Sequence, residues 1–163
     1  HLPFLLAAAD KYIKPAVRYQ GCAYDSGVDF LLPNQYFTLW STSDSQIRST
    51  LETFASAGEQ LEDLAISKED LRGYILSAYA QALPPSGMLN GRMRFLRRRL
   101  FGISTDYINK MITDIRNSSL KDQKTAARLI HKILQNSPSA VVGNEKMIDE
   151  NKDLFDEVMK LQS

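Results

Sequence analysis

The segment LPFLLAAADKYIK, residues 2–14, constrains this chain more than any other. It carries alanine and leucine with no interior breaker, and the pattern predicts a helix stopped by Pro15. Such a helix is apolar almost all round, so it must be covered on more than one side and cannot lie on a surface. Its cover has to come from a real core. A chain of 163 residues with 44% apolar content can supply one, and the length predicts one domain spanning 1–163. The abrupt apolar start at His1 predicts that this domain is truncated at its amino terminus, with upstream strands missing.

The rest of the chain changes period twice. Val28, Phe30 and Leu32 share one parity, PNQ at 33–35 punctuates, and Tyr36, Thr38 and Trp40 line one face of a second extended run. This is a predicted hairpin. Ser43 and Gln46 have capping-box spacing ahead of Ile47, Leu51, Phe54, Leu61 and Leu64, which recur at helical intervals. Ser67 and Asp70 announce the next helix, with Leu71, Tyr74, Ile75, Ala78 and Tyr79 inward, and PPSG at 84–87 ends it. Three more helices are expected from Met88 to Gln135, interrupted at Gly102 to Thr105 and around Ser118 and Ser119. SAVVG at 139–143 reads as a strand returning to the hairpin's sheet, and Asp153 to Leu161 as a last helix. The order predicts an α+β fold with an antiparallel sheet covered by several helices.

Charge and composition remove several classes of function. Twenty basic residues against nineteen acidic leave a net charge of +1, so no global excess points to nucleic acid or an anionic membrane. The basic run GRMRFLRRRLFG, with Arg92, Arg94, Arg97, Arg98 and Arg99, spreads over more than one helical face. With Phe95, Leu96 and Leu100 inward, it is expected to be a solvated helix. His1, His131 and Cys22 give no chelating pair, so the chain is expected to bind no metal, and phosphate-cradling glycine loops are missing. His131 is expected at a helix surface or at its boundary with the core. The lone Cys22 suits a reducing compartment and equally a secreted chain without bridges; with no long apolar run and no signal-peptide pattern, the cytoplasm or an organelle matrix is the expected location.

One stretch stands out chemically. In RYQGCAYDSGVDF, residues 18–30, Arg18 is a permanent cation with a forked array of donors and Tyr24 carries a phenol. Both suit a carbonyl or carboxylate. Gly21, Cys22 and Ala23 are small enough for another backbone to approach. The same residues also fit an arginine at a helix end, complementing its dipole, and a strand tyrosine packed on the core.

PAVRYQGCAYDSG resembles the R-x-x-G-G-A-Y-G stretch of the carboxy-terminal half of pitrilysin and insulin-degrading-type zinc metallopeptidases, inverted zincins, most closely the presequence protease branch. The similarity runs on through the hairpin, LWSTSDS, SKEDL and LFGIS. Cys22 and Asp25 depart from it, each standing where the family commonly has glycine. The resemblance implies a carboxy-terminal domain, not catalytic alone, of an enzyme of peptide degradation. Zinc and its H-x-x-E-H helix would belong to an amino-terminal half, with none bound here. Arg18, Tyr24 and Gly21 would contact substrate, with Tyr24 and Arg18 supporting catalysis at its carbonyl. The implied partners are peptides and that catalytic half, with no nucleic acid and no membrane; the alternative is an inactive structural homologue that serves as a protein-interaction subunit.

Overall fold

A computed structural model describes residues 1–31, 36–82, 93, 96 and 98–160. Its architecture is α+β and rich in helix. Helix α1 (Leu2–Ala8) runs without a stop into two wide π-helical turns, Ala9–Ile13 and Pro15–Gln20. Strands β1 (Asp25–Leu31) and β2 (Tyr36–Thr42) form an antiparallel pair. Helices α2 (Ile47–Asp63), α3 (Lys68–Ala82), α4 (Thr105–Arg116), α5 (Gln123–Leu134) and the short α6 (Glu145–Glu150) follow.

The apolar first helix lies at the centre. Phe4, Leu5, Ala7 and Ala8 are buried in one cluster with Leu61 of α2, Leu71 and Ala78 of α3, Ile115 of α4 and Ile130 of α5. Burial on several sides is what its all-round apolar composition demands. The helix does not end at Pro15, however. A proline inside an α-helix fails because it lacks an N–H and its ring meets the carbonyl four residues back. Widening the helix relieves this: the Lys14 N–H reaches the Ala9 carbonyl and the Gly21 N–H the Ala16 carbonyl, five residues back in each case. The helix thereby continues to Gln20 and carries Arg18 on its last turn.

The hairpin pairs Gly27 with Trp40, Val28 with Leu39 and Phe30 with Phe37. Val28, Phe30, Phe37 and Leu39 pack on the core, which leaves Tyr36, Thr38 and Trp40 on the opposite face. Trp40 lies across Gly27, whose missing Cβ would sit 3.0 Å from the indole ring. Leu32 and PNQ fall outside the described residues. No returning strand joins: the sheet has two strands among the described residues, and Val142 in SAVVG is 84% exposed. Three branched or small apolar residues beside glycine are too few to compete without a neighbour to bury them.

Helices α2 and α5 cross closely because Gly58 has no side chain. A Cβ there would lie 2.4 Å from the His131 backbone nitrogen. The Gln123 amide seals the same junction by donating to the carbonyls of Leu61 and Leu64 at 2.9 and 2.8 Å, satisfying the end of α2. Ser67 and Asp70 form the expected capping box: the Ser67 hydroxyl accepts from the Asp70 N–H at 3.0 Å and the Asp70 carboxylate from the Ser67 N–H at 3.2 Å. The Ser43 box does not form. Gln46 is the N-cap, and Asp44 accepts from its N–H and from the Thr50 hydroxyl instead.

The end of the chain also differs from expectation. Helix α6 starts at Glu145, capped by Asn144, and over residues 153–160 a 3₁₀ turn, Lys152–Leu154, and irregular chain stand in place of the expected helix to Leu161; Leu161 itself lies outside the described residues. In the basic run, Arg92, Arg94, Phe95 and Arg97, like PPSG, lie outside the described residues. Leu96 and Leu100 are exposed, not inward as the spacing suggested. Among the described residues no helix is long and apolar enough to cross a membrane.

Candidate functional site

The stretch from Arg18 to Asp25 is the passage from the last π-helical turn into β1. Its base is anchored by polar ties from the first helix to α2 and α3. Tyr12 and Ser56 share a hydrogen bond of 2.8 Å, Lys11 pairs with Asp70 at 2.8 Å, and the Tyr74 hydroxyl donates to Asp10 at 2.7 Å. These ties have electrostatic consequences. The Lys11 ammonium, with Ser67, draws the Asp70 carboxyl from 3.8 to about 2, and burial with Asp10 pushes the Tyr74 phenol up.

The small residues of the passage have internal reasons to be small. A Cβ on Gly21 would stand 2.6 Å from the Val17 carbonyl oxygen, so glycine closes the wide turn onto its own helix. Cys22, not Gly21, takes the left-handed conformation, with φ of 63° and an exposed side chain. Ala23 turns inward onto Ile13, Val17 and Ala57. The Tyr24 N–H then reaches the Thr42 carbonyl at 3.0 Å, closing the base of the hairpin.

This leaves Arg18 and Tyr24 outward. Tyr24 is 75% exposed, which removes the reading of a tyrosine packed on the core. The Arg18 guanidinium faces Asp25 at 3.6 Å, with both side chains about two-fifths exposed, and lies 5.8 Å from the centre of the Tyr19 ring. Meanwhile Asp25 accepts a hydrogen bond from the Ser26 N–H at 2.9 Å. The structure thus brings Arg18 to Asp25, the residue after Tyr24, without a hydrogen bond between Arg18 and Tyr24. Tyr19, 69% exposed, went unnoticed in the sequence, although its adjacency to Arg18 on a helix end was the available signal. The arrangement can present a forked cation and two phenols to an anion or a carbonyl.

Other candidates resolve more simply. His131 sits at the boundary of α5 with α2, its Nε2 3.7 Å from Glu59. Among the described residues no three His, Cys, Asp or Glu side chains gather as metal ligands.

No family model matches the chain. A curated relative is Protein HypA of Clostridium perfringens (strain 13 / Type A), 27% identical over 148 residues, which cover 90% of this chain and 15% of that protein. The chain therefore spans about one-seventh of the relative's length. No solved structure matches.

These comparisons overturn the identification with pitrilysin-type zinc metallopeptidases, because no family model matches and the relative bears the name HypA, not that of a peptidase. The functions drawn from it go too: a part in peptide hydrolysis, the inactive-homologue alternative, zinc held elsewhere with none on this chain, and peptides and a catalytic half as partners. The structure supplies a physical reason why the motif misled. Gly21 is set by the Val17 carbonyl and Ala23 by its inward packing, while the six-residue Arg–Tyr spacing follows from one helix end meeting one strand start. A helix-to-strand passage of this shape favours much of the pattern by itself.

Proposed function

We propose that the chain is a binding segment of a longer protein, with the rim at Arg18, Tyr19, Gly21 and Tyr24 receiving a carboxylate. Residues 1–163 are read as one domain of that protein. The observation behind this reading is the state of Arg18. Asp25 orients the guanidinium from 3.6 Å, beyond hydrogen-bond length, so its five donors stay available for a bidentate partner. The ion pair itself, between exposed groups, contributes only about 0–1 kcal/mol. An incoming carboxylate displaces little. Tyr24 adds a phenol donor, and arginine with exposed tyrosines is the composition enriched at binding surfaces. The exposed thiol of Cys22 supports a reducing compartment, the cytoplasm or an organelle matrix.

The test is calorimetric titration of the chain with succinate against sodium chloride of equal ionic strength. Binding is expected for succinate alone. Arg18→Gln should weaken it about tenfold or more, and Tyr24→Phe about three- to tenfold, as loss of one solvent-exposed hydrogen bond does. Equal affinity in wild type and Arg18→Gln would remove the assignment.

A further inference from the structure

A second concave surface lies away from the Arg18 rim, where the first turns of α3 meet the 3₁₀ turn Leu120–Asp122. It encloses about 440 Å³. Its floor is apolar: Leu71 is buried, and Ile75 and Leu120 are half-buried. Its rim is cationic. Lys68 and Arg72 stand one turn apart on the same face of α3, and Lys121 projects from the 3₁₀ turn; all three are exposed.

Among the described residues, no carboxylate lies within ion-pair distance of these three cations, whereas Lys11, Arg48 and Arg128 each have one. Glu69, beside Lys68 in the first turn of α3, pairs with neither Lys68 nor Arg72, and two further acids are engaged elsewhere: Asp70 accepts from Lys11 and the Ser67 N–H, and Asp122 from Ser119. We propose that this groove docks an acidic segment of a partner protein, seating an apolar side chain on Leu71, Ile75 and Leu120 while flanking carboxylates meet Lys68, Arg72 and Lys121. Charge complementarity selects the occupant. A free phosphate uses the cations but leaves the apolar floor wet, and a bilayer surface meets projecting side chains more readily than a recessed floor. A peptide with leucine between glutamates satisfies both at once.

The experiment is fluorescence anisotropy of the whole chain with a labelled twelve-residue peptide of alternating glutamate and leucine. Two companion peptides replace glutamate by lysine or leucine by serine, and phosphatidylserine vesicles form a separate arm. The glutamate–leucine peptide should bind, more weakly as salt rises. The combined variant Lys68→Gln, Arg72→Gln, Lys121→Gln should lose about tenfold or more, since three exposed attractions are removed together. Lys132→Gln, an exposed cation outside the groove, should change affinity less than about twofold.

Absence of binding, equal binding of the serine peptide, or an unchanged affinity in the triple variant would each overturn the proposal. So would vesicle binding that depends on the same three side chains while the peptide fails to bind, since that result assigns the groove to a membrane surface. Arg18 and Tyr24 take no part, so this proposal and the carboxylate rim stand or fall separately.

Discussion

Cys22 concentrates local strain in the passage from the first helix to β1. Its φ of 63° places a side chain where left-handed backbone costs roughly 1–2 kcal/mol. Glycine relieves that cost and gives part of it back as chain entropy, so Cys22→Gly should stabilise the fold by about 0.5–1 kcal/mol in chemical denaturation. Gly21→Ala should do the reverse, losing about 1–3 kcal/mol, because its Cβ would strike the backbone of Val17. Asp70 provides the pH dependence. Its carboxyl is held at about 2, from 3.8, by Lys11 and Ser67. A depressed carboxyl stabilises the fold above its unfolded value and ceases to as pH falls through its folded value. The melting temperature should therefore decline between about pH 4 and pH 2, and Asp70→Asn should make that decline shallower. At this scale the sequence singled out Arg18 and Tyr24 but left open whether the tyrosine packs on the core or faces outward, and it held no sign of Asp25 as a partner or Tyr19 as a neighbour. Those contacts depend on how far the helix runs past Pro15.

The elements were legible wherever local chemistry and burial agree. The Ser67–Asp70 box, the inward face of α3 and the alternation of the hairpin all appear as their spacing predicts. Disagreement arose where a tertiary choice overrode a local rule. Pro15 stops an α-helix, yet a helix buried on several sides continues by widening its turns. SAVVG has strand composition, but no strand among the described residues pairs with it and Val142 stays in solvent. Ser43 has the right spacing to cap α2, but it adopts φ of 48° and Asp44 takes over the polar bonds there. The junction of α2 with α5 was invisible because glycine and glutamine carry no period. Gly58→Ala should cost about 1–3 kcal/mol through the clash with His131. Gln123→Ala should cost about 1–3 kcal/mol by leaving the Leu64 carbonyl without its donor and the Leu61 carbonyl with only the long bond from the Leu64 N–H at 3.4 Å. Urea denaturation of both variants checks this. Losses below about 0.5 kcal/mol would mean that the helices separate easily, as at an ordinary surface site.

For the whole molecule, the α+β class followed from the change of period along the chain, whereas its function did not follow from a short motif. The match of the 18–25 stretch to a peptidase pattern reflects demands internal to the molecule at Gly21 and Ala23, and the comparisons support another relative, one about six to seven times longer than this chain. What survives is physical: a core-buried helix, tied to α2 and α3 by Tyr12, Lys11 and Asp10, that delivers Arg18 to the rim with its donors open. The most direct measurement of that claim is the ¹⁵N-resolved Nε–H resonance of Arg18, assigned by its loss in Arg18→Lys, during titration with succinate. A saturable shift, with chloride leaving the resonance in place and Tyr24→Phe weakening the response, is the predicted result. A resonance unmoved by succinate, or moved equally by chloride, would contradict carboxylate binding at the rim.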